Sequence, residues 1–343
     1  QRPLGLLSDK FGRKPVIYAG LTVFVIGSVV AALATSIEVI ILGRLLQGCG
    51  AISSSLLALV ADVTRTESRT RAMAIVGISI GSSFGISLVL GPLIADSFGL
   101  SGVFAVTALA GALGILVLAK VVPTPAVMSY QSNARLALDK VRGVLLDANL
   151  MKTTLGVFML HYLLMSAFLV FPQVLQQAGF VAAEHYQIYF WLLIATFVLM
   201  GPFMWLAEKQ GFGRYLMLVM IAAFALSQVM LANVVTALLV ITVMGLFFMA
   251  FNLLEVILPA FVSRIVHAGE RGTAMGVYSS CQFFGAFMGG LVGGLLLEMW
   301  DISVLVYVNA ACCVLWFITA LRLNGFEHFA SVTFEIEAED ERP

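Results

Sequence analysis

About ten stretches of roughly 20 predominantly apolar residues follow one another along the 343-residue chain, each long enough to cross a ~30 Å hydrocarbon layer as a helix. They fall near residues 15–36, 39–61, 70–95, 102–122, 152–176, 186–207, 214–232, 235–262, 272–298 and 302–322. A membrane barrel would instead need ~10-residue segments of alternating polarity, and these runs do not alternate. Only 11% of residues are charged and the mean hydropathy is +1.02, which excludes a water-soluble globular domain. The fold class expected is an all-α, multi-pass membrane protein.

The basic residues sort the connections into two sets. Arg2, Lys10, Arg13 and Lys14 lie together, then Arg65, Arg69 and Arg71, then Lys120, Arg135, Lys140, Arg142 and Lys152. Lys209, Arg214, Arg264, Arg271, Arg322 and Arg342 fall in the later connections of the same set. The alternate connections, near residues 37, 98, 180, 233 and 300, hold none. By the positive-inside rule the basic set, including the C-terminal tail, is cytoplasmic. The four cysteines all fall within the apolar runs, so no extracellular disulfide framework is expected.

The chain also repeats itself at a spacing near 200. Leu7-Ser8-Asp9-Lys10-Phe11-Gly12 echoes Leu206-Ala207-Glu208-Lys209-Gln210-Gly211. Arg69-Thr70-Arg71-Ala72-Met73-Ala74 echoes Arg271-Gly272-Thr273-Ala274-Met275-Gly276. Two halves of equal topology follow, a construction in which parallel repeats enclose a substrate site at midplane. The repeat assigns residues 1–122 to one bundle and 151–323 to the other. It also predicts that one helix and most of a second precede Gln1, on the order of 45–65 residues. The connection 123–150 reads as an interfacial amphipathic helix or as a flexible tether. Residues 324–343 carry a period-two pattern at Val332, Phe334 and Ile336, expected to open a cytosolic domain.

Several ionisable or polar groups lie inside the runs, where they are costly and therefore candidates for function. Glu255 is the only carboxylate deep within a run, nine residues before Arg264, or roughly 13 Å at 1.5 Å per residue. A carboxylate there can exchange a proton during transport, or serve as a neutral hydrogen-bonded strut. Asn252 shares its helix face. Arg44 can attract an anion, hold a substrate, perturb a carboxylate or tie helices together, and Gln47 lies on the same face. His161 reaches a similar depth to Glu255 and suits a proton relay or a structural hydrogen bond. Gly77, Gly81 and Gly85 repeat every four residues in one run, as Gly285, Gly289 and Gly293 do in another. Such stripes let helix backbones approach closely. There is no metal-ligand cluster, Walker loop or nucleophile–base arrangement, so no enzyme, cofactor or ATP-driven motor is expected.

The segment Gly5-Leu6-Leu7-Ser8-Asp9-Lys10-Phe11-Gly12-Arg13-Lys14 resembles the loop signature of the major facilitator superfamily. Arg44-Leu45-Leu46-Gln47-Gly48-Cys49-Gly50-Ala51 resembles a second pattern of that family. Gly91-Pro92, after Gly77, Gly81 and Gly85, is similar to its antiporter motif, although Ala95-Asp96 and Ser87 replace usual glycines. Across its whole length the chain looks like the YajR-type inner-membrane transporters, which carry a small cytosolic domain after the last helix. The resemblance implies two six-helix bundles related by a pseudo-two-fold axis. It also implies a charge network of Asp9, Arg13 and Asp62, with Gly5, Gly12 and Lys14 shaping the loop. Asp9 would face the helix N-terminus near Gly272 and Thr273, a contact favouring the outward-open state.

The function expected is secondary active transport of a small organic solute by alternating access, as proton-coupled efflux. A sugar or metabolite facilitator or symporter is the alternative, and a membrane sensor with a cytosolic output domain is an alternative of another class. The partners expected are that solute, protons and the lipid bilayer, with no nucleic acid, and a monomeric state.

Overall fold

The computed structural model describes residues 12–50, 52, 55–56, 59–60, 63–64, 68–123, 146–210, 212–233, 236–266 and 271–323. Gly5, Asp9, Asp62, most of the 123–150 connection and the 324–343 tail lie outside the described residues. The helices are α1 (Arg13–Ala32), α2 (Ile37–Cys49), α3 (Arg69–Lys120), α4 (Ala148–Gln177), α5 (His185–Gln210), α6 (Gly213–Leu231), α7 (Ala237–Ile265), α8 (Arg271–Met299) and α9 (Ile302–Leu321). Eight helices among the described residues are long and apolar enough to cross a membrane. Two compact units divide the chain, residues 1–134 and 135–343.

In the first unit, α3 is two helices joined end to end. Fifty-two residues would run ~78 Å if straight, more than twice a bilayer core. Gly99 breaks the run at φ 67° and ψ −173°, a conformation open to glycine and closed to most other residues. A Cβ on Gly102 would stand 3.5 Å from Ile94 Cγ2, eight residues back, so the chain folds sharply there. This matches the division expected between the runs 70–95 and 102–122.

The second limb of α3 lies antiparallel to α1. Lys14 Nζ donates to the Val122 carbonyl at 2.5 Å, Ile17 packs with Leu118, Leu21 meets Gly114, and Val25 meets Gly111. Gly12 precedes α1 with φ 92°, so the loop motif's glycine is required by backbone geometry. Helices α1 and α2 also cross antiparallel, through a seam of glycines. A Cβ on Gly27 would lie 2.6 Å from the Gly43 carbonyl oxygen, and one on Gly43 would lie 2.7 Å from that of Gly27.

In the second unit, α7 sits centrally, touching α4, α5, α6 and α8, while α9 packs on α4 and α6. Its core is aromatic: Phe247 lies between Phe171 (centroids 5.0 Å) and Phe224 (4.5 Å). Helices α4 and α8 run parallel, with Gly285 against the Phe158 backbone, Gly289 against that of Tyr162, and Gly293 beside Ser166. The glycine stripe expected to pack closely therefore does so, stepping by four residues on both helices. Lys152 donates to the Arg322 carbonyl at 2.6 Å and Arg214 to that of Leu321 at 2.8 Å. Three basic residues thus gather at one end of this unit. Outward-facing side chains such as Trp191, Val198, Leu238 and Phe287 are exposed, a surface suited to lipid rather than water.

A buried polar triad ties α4, α6 and α9 together. Asn309 donates to Ser166 Oγ at 2.9 Å and to Gln228 Oε1 at 3.1 Å, and all three side chains are inaccessible to solvent. Asn309→Leu keeps the branched shape but strands both partners. The expected cost is ~1–2 kcal/mol, read as a lowered midpoint of detergent-induced unfolding.

Candidate functional site

Two polar groupings within the apolar runs contain an ionisable side chain among the described residues, one in each unit. In the first unit Arg44 is exposed and Gln47 buried on α2. Arg44 Nη1 donates to Gln47 Oε1 at 2.6 Å, Gln47 Nε2 donates to Ser28 Oγ at 2.7 Å, and Ser28 Oγ donates to the Phe24 carbonyl at 2.8 Å. One amide thus passes the guanidinium's orientation to α1. The close glycine crossing at Gly27 and Gly43 brings the two backbones near enough for that short chain of bonds.

In the second unit three helices converge. His161 comes from α4, Glu255 from α7 and Gln282 from α8. His161 is 11% exposed and Glu255 36%. Gln282 Nε2 lies 2.8 Å from His161 Nε2 and donates to Glu255 Oε1 at 3.2 Å. His161 Nε2 and Glu255 Oε2 are 3.7 Å apart. The second carboxylate oxygen is buried without a hydrogen bond among the described residues, as is the Tyr278 hydroxyl one turn before Gln282.

Elementary chemistry fixes the imidazole's state here. His161 Nδ1 stands 3.2 Å from the Val157 carbonyl oxygen. A carbonyl only accepts, so Nδ1 carries the hydrogen. In a neutral ring Nε2 is then a bare acceptor, and the Gln282 amide supplies a matching N–H. Phe251 caps the ring edge-on at 5.8 Å. The site lies ~20 Å along α4 from its start, near the middle of a membrane-length helix. Pro259 in α7 lacks the N–H that would bond the carbonyl of Glu255 one turn earlier. The backbone beside the carboxylate is thereby loosened as well.

Asn252 does not join this cluster. It donates to Thr196 Oγ1 on α5 at 3.0 Å, so residues three apart on α7 serve different neighbours. Gly91 has no atom within 4 Å of where a side chain would begin, and Pro92 lies within α3. Gly77, Gly81 and Gly85 lie in the first limb of α3. Gln282 was missed by sequence reasoning, which took up an amide only where it shared a helix face with a charged residue, as Gln47 does with Arg44 and Asn252 with Glu255. Its signal was a polar residue one turn before Gly285, inside an otherwise small and apolar stripe.

Comparison with known proteins follows the same lines. The family model for the Major Facilitator Superfamily matches residues 1–252 and 154–330. The inner membrane transport protein YajR of Escherichia coli is 39% identical over 339 residues, 98% of this chain and 75% of that protein. Among solved structures, the nucleoside transporter NupG superposes with a TM-score of 0.71 at 19% identity, covering 94% of this chain and 86% of the other. A D-xylose-proton symporter does so at 0.69 and 14% identity, covering 96% and 85%. Fold, motifs and relatives agree: the chain is a multi-pass membrane protein of the major facilitator superfamily and, within it, a YajR-type membrane transporter.

Proposed function

We propose that this transporter moves a small organic solute across the inner membrane by alternating access, as proton-coupled efflux, with His161 and Glu255 as the proton site. The observation that carries the reading is the half-buried contact of imidazole, amide and carboxylate in the middle of three membrane-length helices. Ionisable groups are retained at such depth at a cost, and in transporters they mark proton relays. Neutralising the pair by proton uptake removes a charge from the apolar layer, which eases the movement of one bundle past the other.

The basic ends gathered around Lys152, Arg214 and Arg322 are read as the cytoplasmic end. At the matching end of the first unit, Lys14 anchors α1 to the close of α3. The charge network of Asp9, Arg13 and Asp62 that the family resemblance implies is assigned by this reading to setting the balance of transport states. Arg44 and Gln47 are read as lining the solute path from the first unit.

The test is flux in proteoliposomes carrying an imposed pH gradient. A nucleoside and D-xylose, the solutes named for the two structural neighbours, serve as first probes beside a panel of organic ions. Glu255→Gln, which keeps shape and removes titration, is expected to abolish the gradient-driven component and leave passive exchange. Gradient-driven flux undiminished in Glu255→Gln sinks the coupling role. The direction of the driven flux decides export against import. Saturable binding with no flux in the native chain favours a sensor.

A further inference from the structure

We propose that Gln282 is the positioning residue of the proton site: its amide, held between His161 and Glu255, keeps the imidazole neutral with its hydrogen on Nδ1, and must turn over when the ring becomes charged. The inference rests on the reading of His161 and Glu255 as the proton site, and adds a third residue from a third helix.

The argument is one of donors and acceptors. Gln282 Nε2 touches both neighbours, at 2.8 Å and 3.2 Å, so a single NH₂ group spends its two hydrogens on the bare imidazole nitrogen and on Glu255 Oε1. This arrangement satisfies a neutral ring and leaves no room for a hydrogen on Nε2. When Nε2 gains a proton, donor faces donor across 2.8 Å. Two acceptors can relieve that conflict. One is Glu255 Oε2, 3.7 Å away and without a hydrogen bond of its own among the described residues. The other is the Gln282 carbonyl oxygen, brought in by a half-turn of the amide. Either way the Gln282 contact to the ring is broken or reversed by protonation.

Three titratable groups of the described residues lie around the amide: His161 from α4, Glu255 from α7, and Tyr278 one turn earlier on α8 itself, its hydroxyl buried without a hydrogen bond among the described residues. Lys152 and Arg214 are engaged at the end of the unit, on the Arg322 and Leu321 carbonyls. Gln282 also stands one turn before Gly285, where α8 touches the α4 backbone. A reversal of the amide therefore acts one turn from a close contact of the two helices.

The experiment is nitrogen NMR of the full chain in lipid bilayers with ¹⁵N-labelled histidine, the His161 signals identified by their loss in His161→Gln. At neutral pH the native ring is expected to show a protonated Nδ1 and a bare, hydrogen-bonded Nε2. In Gln282→Leu the donor is gone while Oε2 remains, so the bare Nε2 signal is expected to be lost as that nitrogen takes a hydrogen toward Glu255. Gln282→Met, an unbranched isostere, is expected to behave alike and covers the case in which leucine misfolds. A native ring already protonated at Nε2 overturns the proposal outright. So does a bare Nε2 signal that persists unchanged in either variant. Intact gradient-driven flux in Glu255→Gln together with the expected ring signals supports the positioning role while sinking the coupling reading, so the two fail separately.

Discussion

Gly289→Ala is expected to lower the stability of the folded chain by about 3 kcal/mol or more, whereas Gly290→Ala, one residue along, is expected to be neutral or stabilising. The two changes add the same methyl group to the same helix. At position 289 that methyl would enter the van der Waals shell of the Tyr162 backbone carbonyl, which cannot rotate away as a side chain would. Helices α4 and α8 must then separate along a seam that also includes Phe158 against Gly285 and Ser166 beside Gly293. At position 290 nothing lies within 4 Å of the new atom, and exchanging a helical glycine for alanine gains roughly 0.5–1 kcal/mol. The seam also positions the proposed proton site, since His161 lies between Phe158 and Tyr162 on α4. Gly289→Ala should therefore lose gradient-driven flux even in the fraction that folds. Unfolding midpoints of the purified variants in mixed detergent give the comparison. Equal midpoints for positions 289 and 290 would remove the close crossing from the account.

Much of this architecture was legible because its causes are local. A run of twenty apolar residues has one stable form in a membrane, so most helices could be read to within a few residues of their ends, whereas the run expected at 39–61 has a described helix only over Ile37–Cys49. The stripe at Gly285, Gly289 and Gly293 announced a close crossing, and the structure supplies its partner, the α4 backbone. The turn at Gly99 was marked by a lack of basic residues, and its positive φ explains why glycine stands there. What resisted reading was partnership at a distance. Glu255 and Asn252 share a face by spacing, yet the packing of α5 and α8 gives them different neighbours. Nothing in the order of residues says that His161 meets an amide 121 positions away. The tautomer of His161 is read from the Val157 carbonyl and the Gln282 amide together, a pairing that no sequence pattern advertises.

The glycine seam of the first unit makes the second large prediction. Gly43→Ala is expected to cost ~1–3 kcal/mol, and Gly48→Ala, on the same helix, close to nothing. A Cβ on Gly43 would lie 2.7 Å from the Gly27 carbonyl oxygen and 2.8 Å from Ala31 Cβ, whereas one on Gly48 has no atom within 4 Å. The clash is mutual, because a Cβ on Gly27 would lie 2.6 Å from the Gly43 oxygen and 2.7 Å from the Gln47 amide nitrogen. Neither backbone can yield without moving Gln47, whose side chain holds Ser28 at 2.7 Å and Arg44 at 2.6 Å. The seam and the polar relay should therefore fail together. Ser28→Ala alone is expected to cost about 0.6 kcal/mol, the usual worth of a hydrogen bond between membrane helices. In the Gly43→Ala background the same change should cost nothing more, since the bond is already drawn apart. A full additional loss in the double variant would show that Arg44 and Gln47 keep their hold on α1 without the glycines, and the close approach of α1 and α2 would then be packing alone.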